Sequence, residues 1–393
     1  MTNNNLSSNI WKLYIIKTLR WFLLIMPTIV LFFQENGLSM KEILLLQSLF
    51  SIGVVLFEIP SGYFSDVVGR KTTIVLGCIF GFLGLLTYSF SYGFMGFLIA
   101  ELLLGLGTSF ISGTDSAIIY DTLLQLKKEK EYKKIEGRML SAGNFSEGIA
   151  SIIGGFLALI NLRTPFFVET ALMFLTIPIA LSLVEPKRHK YKNKEGSLKE
   201  IMKIVKYSLN DHKEVKCLIF YAGFTVASTL TMVWFIQPYF LLVNLPLAYF
   251  GIVWGILNFS VGIFSLYAHK FESIVGRKKS LISLIFISFA GYILLGLFQS
   301  LWSIIFIFLS YFVRGISSPV LKDYVNKLIS SDMRATVLSI KNLVGRLIFA
   351  IIGPFMGWVA DIYSLQTALL TSGTIFLIFG VISLLFLHKH KAL

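Results

Sequence analysis

The residues of this sequence best placed to do chemistry are charged side chains set inside long apolar runs. Glu101 and Asp115 flank the centre of one run, and Glu147 sits near the centre of the next. Arg314 and Arg346 occupy the centres of two later runs. A charge in an apolar layer is costly to keep, so each is a functional candidate by default. A carboxylate in apolar surroundings resists ionisation, and an arginine brought near it favours the charge. Acids that face bases across a changing distance can therefore take up and release protons. Glu147, Glu101 and Asp115, in that order, are candidate proton carriers. Arg314 and Arg346 are candidate ligands for an acidic group on a solute. The alternative for the same set is a static ion pair. Lys17, Arg20, Asp121, Lys322, Asp323 and Lys341 lie close enough to run ends to snorkel, which leaves anchoring and function both open. Glu169 is read as lying near one end of its run and His269 as interfacial. No H-E-x-x-H, G-x-S-x-G, phosphate loop or Cys/His metal spacing occurs, so neither an enzyme, a cofactor nor a metal site is expected. Cys78 and Cys217 lie far apart and read as free thiols.

The elements that carry these charges follow from composition. The chain has 393 residues, 55% hydrophobic and 14% charged, against roughly 25% charged in a typical soluble domain. Mean hydropathy is +0.77. This excludes a soluble single-domain enzyme and requires a polytopic α-helical membrane protein. Apolar runs fall at about 10–33, 43–65, 72–90, 94–121, 138–160 and 164–184, then at 215–242, 248–270, 278–298, 301–325, 336–360 and 365–388. Twelve transmembrane helices are expected, because lipid offers backbone groups no other partner and barrel strands would be shorter and alternating. The halves are 1–184 and 215–393, and 185–214 is a basic linker whose part from Ser197 to Asn210 patterns as a short amphipathic helix. That helix would lie on an anionic membrane face, or simply tether the halves.

The net charge of +14 sits in short loops and so reports topology rather than nucleic-acid binding. Arg70-Lys71, Lys127 to Arg138, Lys187 to Lys216, Arg277 to Lys279, Lys322 to Arg334 and the tail are basic, while the alternate loops hold little beyond Lys41 and Arg163. The positive-inside rule places both termini and the linker in the cytoplasm. Lys12, Lys17 and Arg20 precede the first run with no cleavage site after it, so it reads as an uncleaved span. The halves also repeat. Gly69-Arg70-Lys71 follows the second run and Gly276-Arg277-Lys278 the eighth; Leu140-Ser141-x-x-Asn144 opens the fifth and Leu338-Ser339-x-x-Asn342 the eleventh. Duplicated six-helix units are a transporter architecture with substrate bound near midplane.

Gly62-x-x-x-Asp66-x-x-Gly69-Arg70-Lys71 resembles the signature loop of the major facilitator superfamily. Gly62 would allow close helix approach and Gly69 would make the turn. The resemblance implies a fold of two pseudo-symmetric six-helix bundles working as a secondary transporter by alternating access. It also implies that Asp66 latches onto the end of span 11, that Arg70 pairs with Asp121 at the end of span 4, and that the protein is a monomer. The drug:proton antiporter branch is similar but carries R-x-x-x-G-x-G in span 4, where this chain has Glu101 ahead of Gly105 and Gly107. Its G-P-x-x-G-G element is reduced here to Gly154-Gly155.

Trp234, Gln237 and Tyr239 surround Pro238 in the seventh run. With Asn144 and Asn342 they are substrate-cavity candidates, although lipid-facing packing explains the aromatics equally. The leading reading is proton-coupled efflux of amphipathic or hydrophobic small molecules across a bacterial cell membrane. The alternative is a proton-coupled uptake symporter for a small anionic or zwitterionic solute. The expected partners are a small-molecule substrate, protons and the lipid bilayer, with no nucleic acid.

Overall fold

Long apolar runs with no water to satisfy their backbone must satisfy it internally. The computed structural model describes residues 3–186, 212–329 and 333–390, and they are helical almost throughout. The expected amphipathic segment Ser197 to Asn210 lies outside the described residues. In chain order the helices are α1 Asn3–Arg20, α2 Ile29–Glu35, α3 Met40–Val67, α4 Arg70–Phe90, α5 Gly93–Ile111, α6 Thr114–Gln125, α7 Tyr132–Ala158 and α8 Thr164–Leu181. There follow α9 Lys213–Leu242, α10 Phe250–Val275, α11 Arg277–Leu297, α12 Ile307–Leu328, α13 Arg334–Ile362 and α14 Leu365–Lys389. Among the described residues, ten stretches are long and apolar enough to cross a membrane. The other two expected spans fall short for identifiable reasons. The first is split into α1 and α2, and α7 opens on Lys134, Glu136 and Arg138 and carries Glu147 further on.

Two runs expected as single helices are interrupted. Residues 21–28 between α1 and α2 are not helical. Pro27 has no N–H to give, and its ring clashes with the carbonyl four residues back. The fourth run breaks at Ser112–Gly113, where Gly113 adopts φ +75° between α5 and α6. Gly69 and Gly276, at the repeated turns, also have positive φ, 137° and 81°. The backbone is thus left-handed at the same place in both copies of the repeat.

The described residues fall into two compact units. One lies within Met1–Leu38, Leu49–Lys190 and Pro246–Ile256, the other within Ser39–Ser48, Tyr191–Leu245 and Leu257–Leu393. In the first, α4 and α5 are in backbone contact through glycine. A Cβ on Gly107 would stand 2.8 Å from Gly77 O and Gly81 N, a small-residue seam of the kind that joins membrane helices. Gly155 of α7 meets Gly251 of α10 in the same way. An aromatic cluster of Phe32, Phe33, Tyr88, Phe97 and Phe166 fills one end. In the second unit α9 is central, packed by α11, α12, α13 and α14. Two of its interior tyrosines spend the hydroxyl on a carbonyl, Tyr221 on Leu281 at 2.7 Å and Tyr292 of α11 on Ser228 at 2.6 Å. In that unit too, Asp361 at the end of α13 accepts from Met40 N and Lys41 N, both at 2.8 Å, and so caps the start of α3.

Candidate functional site

The turn after α3 is built by charge on backbone. The N-terminus of α4 exposes N–H groups with no intrahelical acceptor. Glu185 fills that need, accepting from Arg70 N at 3.0 Å and Lys71 N at 2.7 Å, where the dipole also favours an anion. The Arg70 guanidinium leaves the turn for α6, forming an ion pair with Asp121 and donating to Ala117 O. Asp66 is exposed in the last turn of α3, and Lys71 is half-buried. Gly62 differs from its expected role: among the described residues a Cβ there would meet nothing within 4 Å. At the repeated turn, Arg277 lies 4.7 Å over the ring of Tyr324, whose hydroxyl donates to Glu272 at 2.9 Å. Asp323 pairs with Lys327 on the surface at 2.6 Å.

Of the acids inside the runs, Glu101 is 4% exposed and accepts from the Tyr88 hydroxyl at 2.6 Å. Asp115, in the first turn of α6, pairs with Lys17 at 3.2 Å and accepts from Ser116 N at 2.8 Å. The Ser116 hydroxyl in turn donates to Glu136. Glu147 is half-buried in α7, and Asn144 one turn earlier is exposed. In the second unit Arg346 is half-buried and Asn342 exposed, while Arg314 is exposed with the Tyr311 ring 5.9 Å away. Trp234, Gln237 and Tyr239 are all buried, and Tyr239 donates to Phe298 O at 2.6 Å. The structure thus brings together Arg70 with Asp121 and sets Asp115 beside Lys17. Among the described residues no three His, Cys, Asp or Glu side chains gather as a metal site.

Three residues of consequence escape sequence reasoning. Glu169, read as lying near a run end, is 3% exposed and accepts from Ile25 N at 3.1 Å. It holds an N–H group that the break in the first run sets free. Arg163 donates to the carbonyls of Tyr88, Ser89 and Ser91 at 3.2, 3.0 and 2.9 Å and to Asn36 Oδ1 at 2.8 Å. It closes the end of α4 and stacks 4.2 Å from the Tyr92 ring. Glu185 is the third. Only Arg163 leaves a sequence signal, as a lone basic residue in an otherwise uncharged loop.

The sequence model describing the Major Facilitator Superfamily matches residues 13–348 and 219–392. An uncharacterized MFS-type transporter of Bacillus subtilis, YxaM, is 22% identical over 93% of this chain and 92% of its own length. The quinolone resistance protein NorA of Staphylococcus aureus is 22% identical over 42% of each chain. Among solved structures, the nucleoside transporter NupG superposes with a TM-score of 0.77 at 16% identity, covering 98% of both chains. At that identity the likeness is one of fold.

Proposed function

From the premise that the chain belongs to the Major Facilitator Superfamily, we propose that it is a proton-coupled exporter of amphipathic or hydrophobic small molecules, working by alternating access in a bacterial cell membrane with both termini in the cytoplasm. The observation that carries this reading is Glu101. It is a carboxylate buried within a span and held by a neutral phenol donor from Tyr88, so gaining or losing a proton changes the charge of the bundle interior outright. Glu147 and Asp115 are the other carriers in this reading. Gly62, Asp66, Gly69, Arg70, Lys71 and Asp121 form the gating turn, and the ion pair of Arg70 with Asp121 lends that turn a fixed point on α6. The partial likeness to NorA, named for quinolone resistance, supports efflux over uptake.

A second reading is a proton-coupled symporter for a small anionic or zwitterionic solute. It is favoured by Arg314, an exposed cation that meets no acid among the described residues. Proteoliposomes holding an internal pH dye distinguish the two. Amphipathic cations, anions and zwitterions are added outside, and proton movement is followed. Proton flow opposite to the solute, lost in Glu147→Gln and Glu101→Gln, is the expected result. Flow in the same direction establishes the symporter instead. Undiminished coupling in both variants overturns the assignment of the carriers.

A further inference from the structure

We propose that Glu169 is a proton-binding site of the first unit, coupled through the Ile25 N–H to the break in the first span. The site is separate from the carriers named above and stands whatever the direction of transport.

α8 is apolar along its length, and Glu169 is the one charged residue in it. The carboxyl is 3% exposed and lies about 8 Å into the helix at 1.5 Å per residue. A carboxylate in such surroundings is costly unless something meets its charge. α1, α4 and α7 pack against α8. Among the described residues no charged side chain on any of them acts on Glu169. Lys17 of α1 is paired with Asp115 at 3.2 Å, and the Tyr88 hydroxyl of α4 with Glu101 at 2.6 Å. Arg20 of α1 and Cys78 of α4 lie in electrostatic reach of one another. Glu147 of α7 sits about two turns before Gly154. Arg163, ahead of α8, is bound to carbonyls at the end of α4.

What meets the carboxylate is backbone. Residues 21–28 are not helical, and Ile25 N in this stretch donates to Glu169 Oε2 at 3.1 Å. Such a bond favours the charged form of the acid. It is also about twice as strong as the same bond to a neutral acceptor. The proton and the position of the stretch are therefore linked, and linkage runs both ways. Adding the proton weakens the hold on Ile25, and drawing the stretch away favours the proton. The neighbouring residue is held differently. The Leu24 carbonyl sits where Gly154 of α7 leaves no room for a Cβ, a contact of shape that no proton changes. Pro27 keeps the helical ladder from closing across the break, so the stretch remains a hinge between α1 and α2 with one fixed hold and one that responds to pH.

The test is a pH titration of the purified full-length protein in detergent, with no gradient and no solute, so that a failure here is separate from a failure of the transport reading. Infrared difference spectra over roughly pH 4–10 follow the carbonyl band of protonated carboxyls. Amide hydrogen exchange of residues 21–28, corrected for its intrinsic pH dependence, follows the break. As pH falls, a carboxylic acid band with a single midpoint is expected, missing from Glu169→Gln. Exchange across the stretch should be about three- to tenfold faster on the acid side of that midpoint. Glu169→Gln, which fixes the neutral form, should exchange at the acid-side rate throughout, while Asp115→Asn and Glu101→Gln keep the wild-type response. If the spectra of wild type and Glu169→Gln differ by no such band, Glu169 takes up no proton and the proposal is overturned. A band without a change in exchange overturns it too, as does a pH response that persists in Glu169→Gln. Should that variant fail to fold, the wild type decides: exchange of residues 21–28 with no step anywhere in the range overturns the proposal, and a step that survives in Asp115→Asn and in Glu101→Gln sustains it.

Discussion

Replacing Glu169 with alanine should destabilise the protein through a segment it never adjoins in sequence. Its carboxylate accepts from Ile25 N at 3.1 Å, in the stretch between α1 and α2. With alanine that N–H loses its acceptor. An orphaned buried donor costs about 1–3 kcal/mol. The stretch has little freedom to repair this by rewinding in place. Pro27 interrupts the helical ladder, and the Leu24 carbonyl is pressed against Gly154 of α7, where even a Cβ would collide. In the unfolded chain, by contrast, residues 21–26 are free to wind and satisfy their own N–H groups. That compensation leaves the alanine penalty undiminished in the native state and places the floor at about 1 kcal/mol. Glu169→Gln keeps an oxygen acceptor and loses only the charge assistance, roughly half of the bond strength, so it should cost about half as much. The assay is equilibrium unfolding in mixed micelles of rising SDS fraction, followed by tryptophan fluorescence. Stability of Glu169→Ala within about 0.5 kcal/mol of wild type, the range of an ordinary surface change, would refute the reasoning. So would a glutamine variant less stable than the alanine one.

Two further outcomes are expected from the same assay. A double-mutant cycle with Arg70→Ala and Asp121→Ala should return a coupling of about 1–2 kcal/mol, above that of an exposed pair because each side chain is only 17% exposed; zero coupling would reduce Arg70 to a positive-inside anchor. Gly107→Ala should cost about 1–3 kcal/mol, since its Cβ would stand 2.8 Å from backbone atoms of Gly77 and Gly81 that have no side chain to swing aside, whereas Gly62→Ala, with nothing within 4 Å, should fall within about 0.5 kcal/mol of wild type.

The fold is legible in the sequence because lipid removes most alternatives. An apolar run bounded by charge, once it must satisfy its own backbone, has one outcome, and ten such stretches stand among the described residues. What a run conceals is its interior geometry. Pro27 sits in the first run among Leu, Ile and Met, and averaged apolarity does not register that residues 21–28 around it leave the helix. Distance from its own helix end says nothing of the unwound chain whose Ile25 N–H reaches Glu169. Trp234, Gln237 and Tyr239 have the composition of a cavity wall, but composition does not say which face of α9 they occupy. α9 has most of its residues buried, these three among them. Arg163, counted as a topological charge, is bound to three carbonyls at the end of α4. In each case the missing information is a contact between residues far apart in the chain, to which hydropathy and spacing are indifferent.

The broken first span has a bearing on how the protein is made. α1 carries Lys12, Lys17 and Arg20, and α2 is only seven residues long, so neither piece holds the roughly 20 apolar residues with which a nascent helix enters a bilayer unaided. The contacts that fix the stretch between them come from Gly154 and Glu169, which the ribosome delivers well over a hundred residues later. The stretch between α1 and α2 therefore gains these contacts only once α7 and α8 have been synthesised.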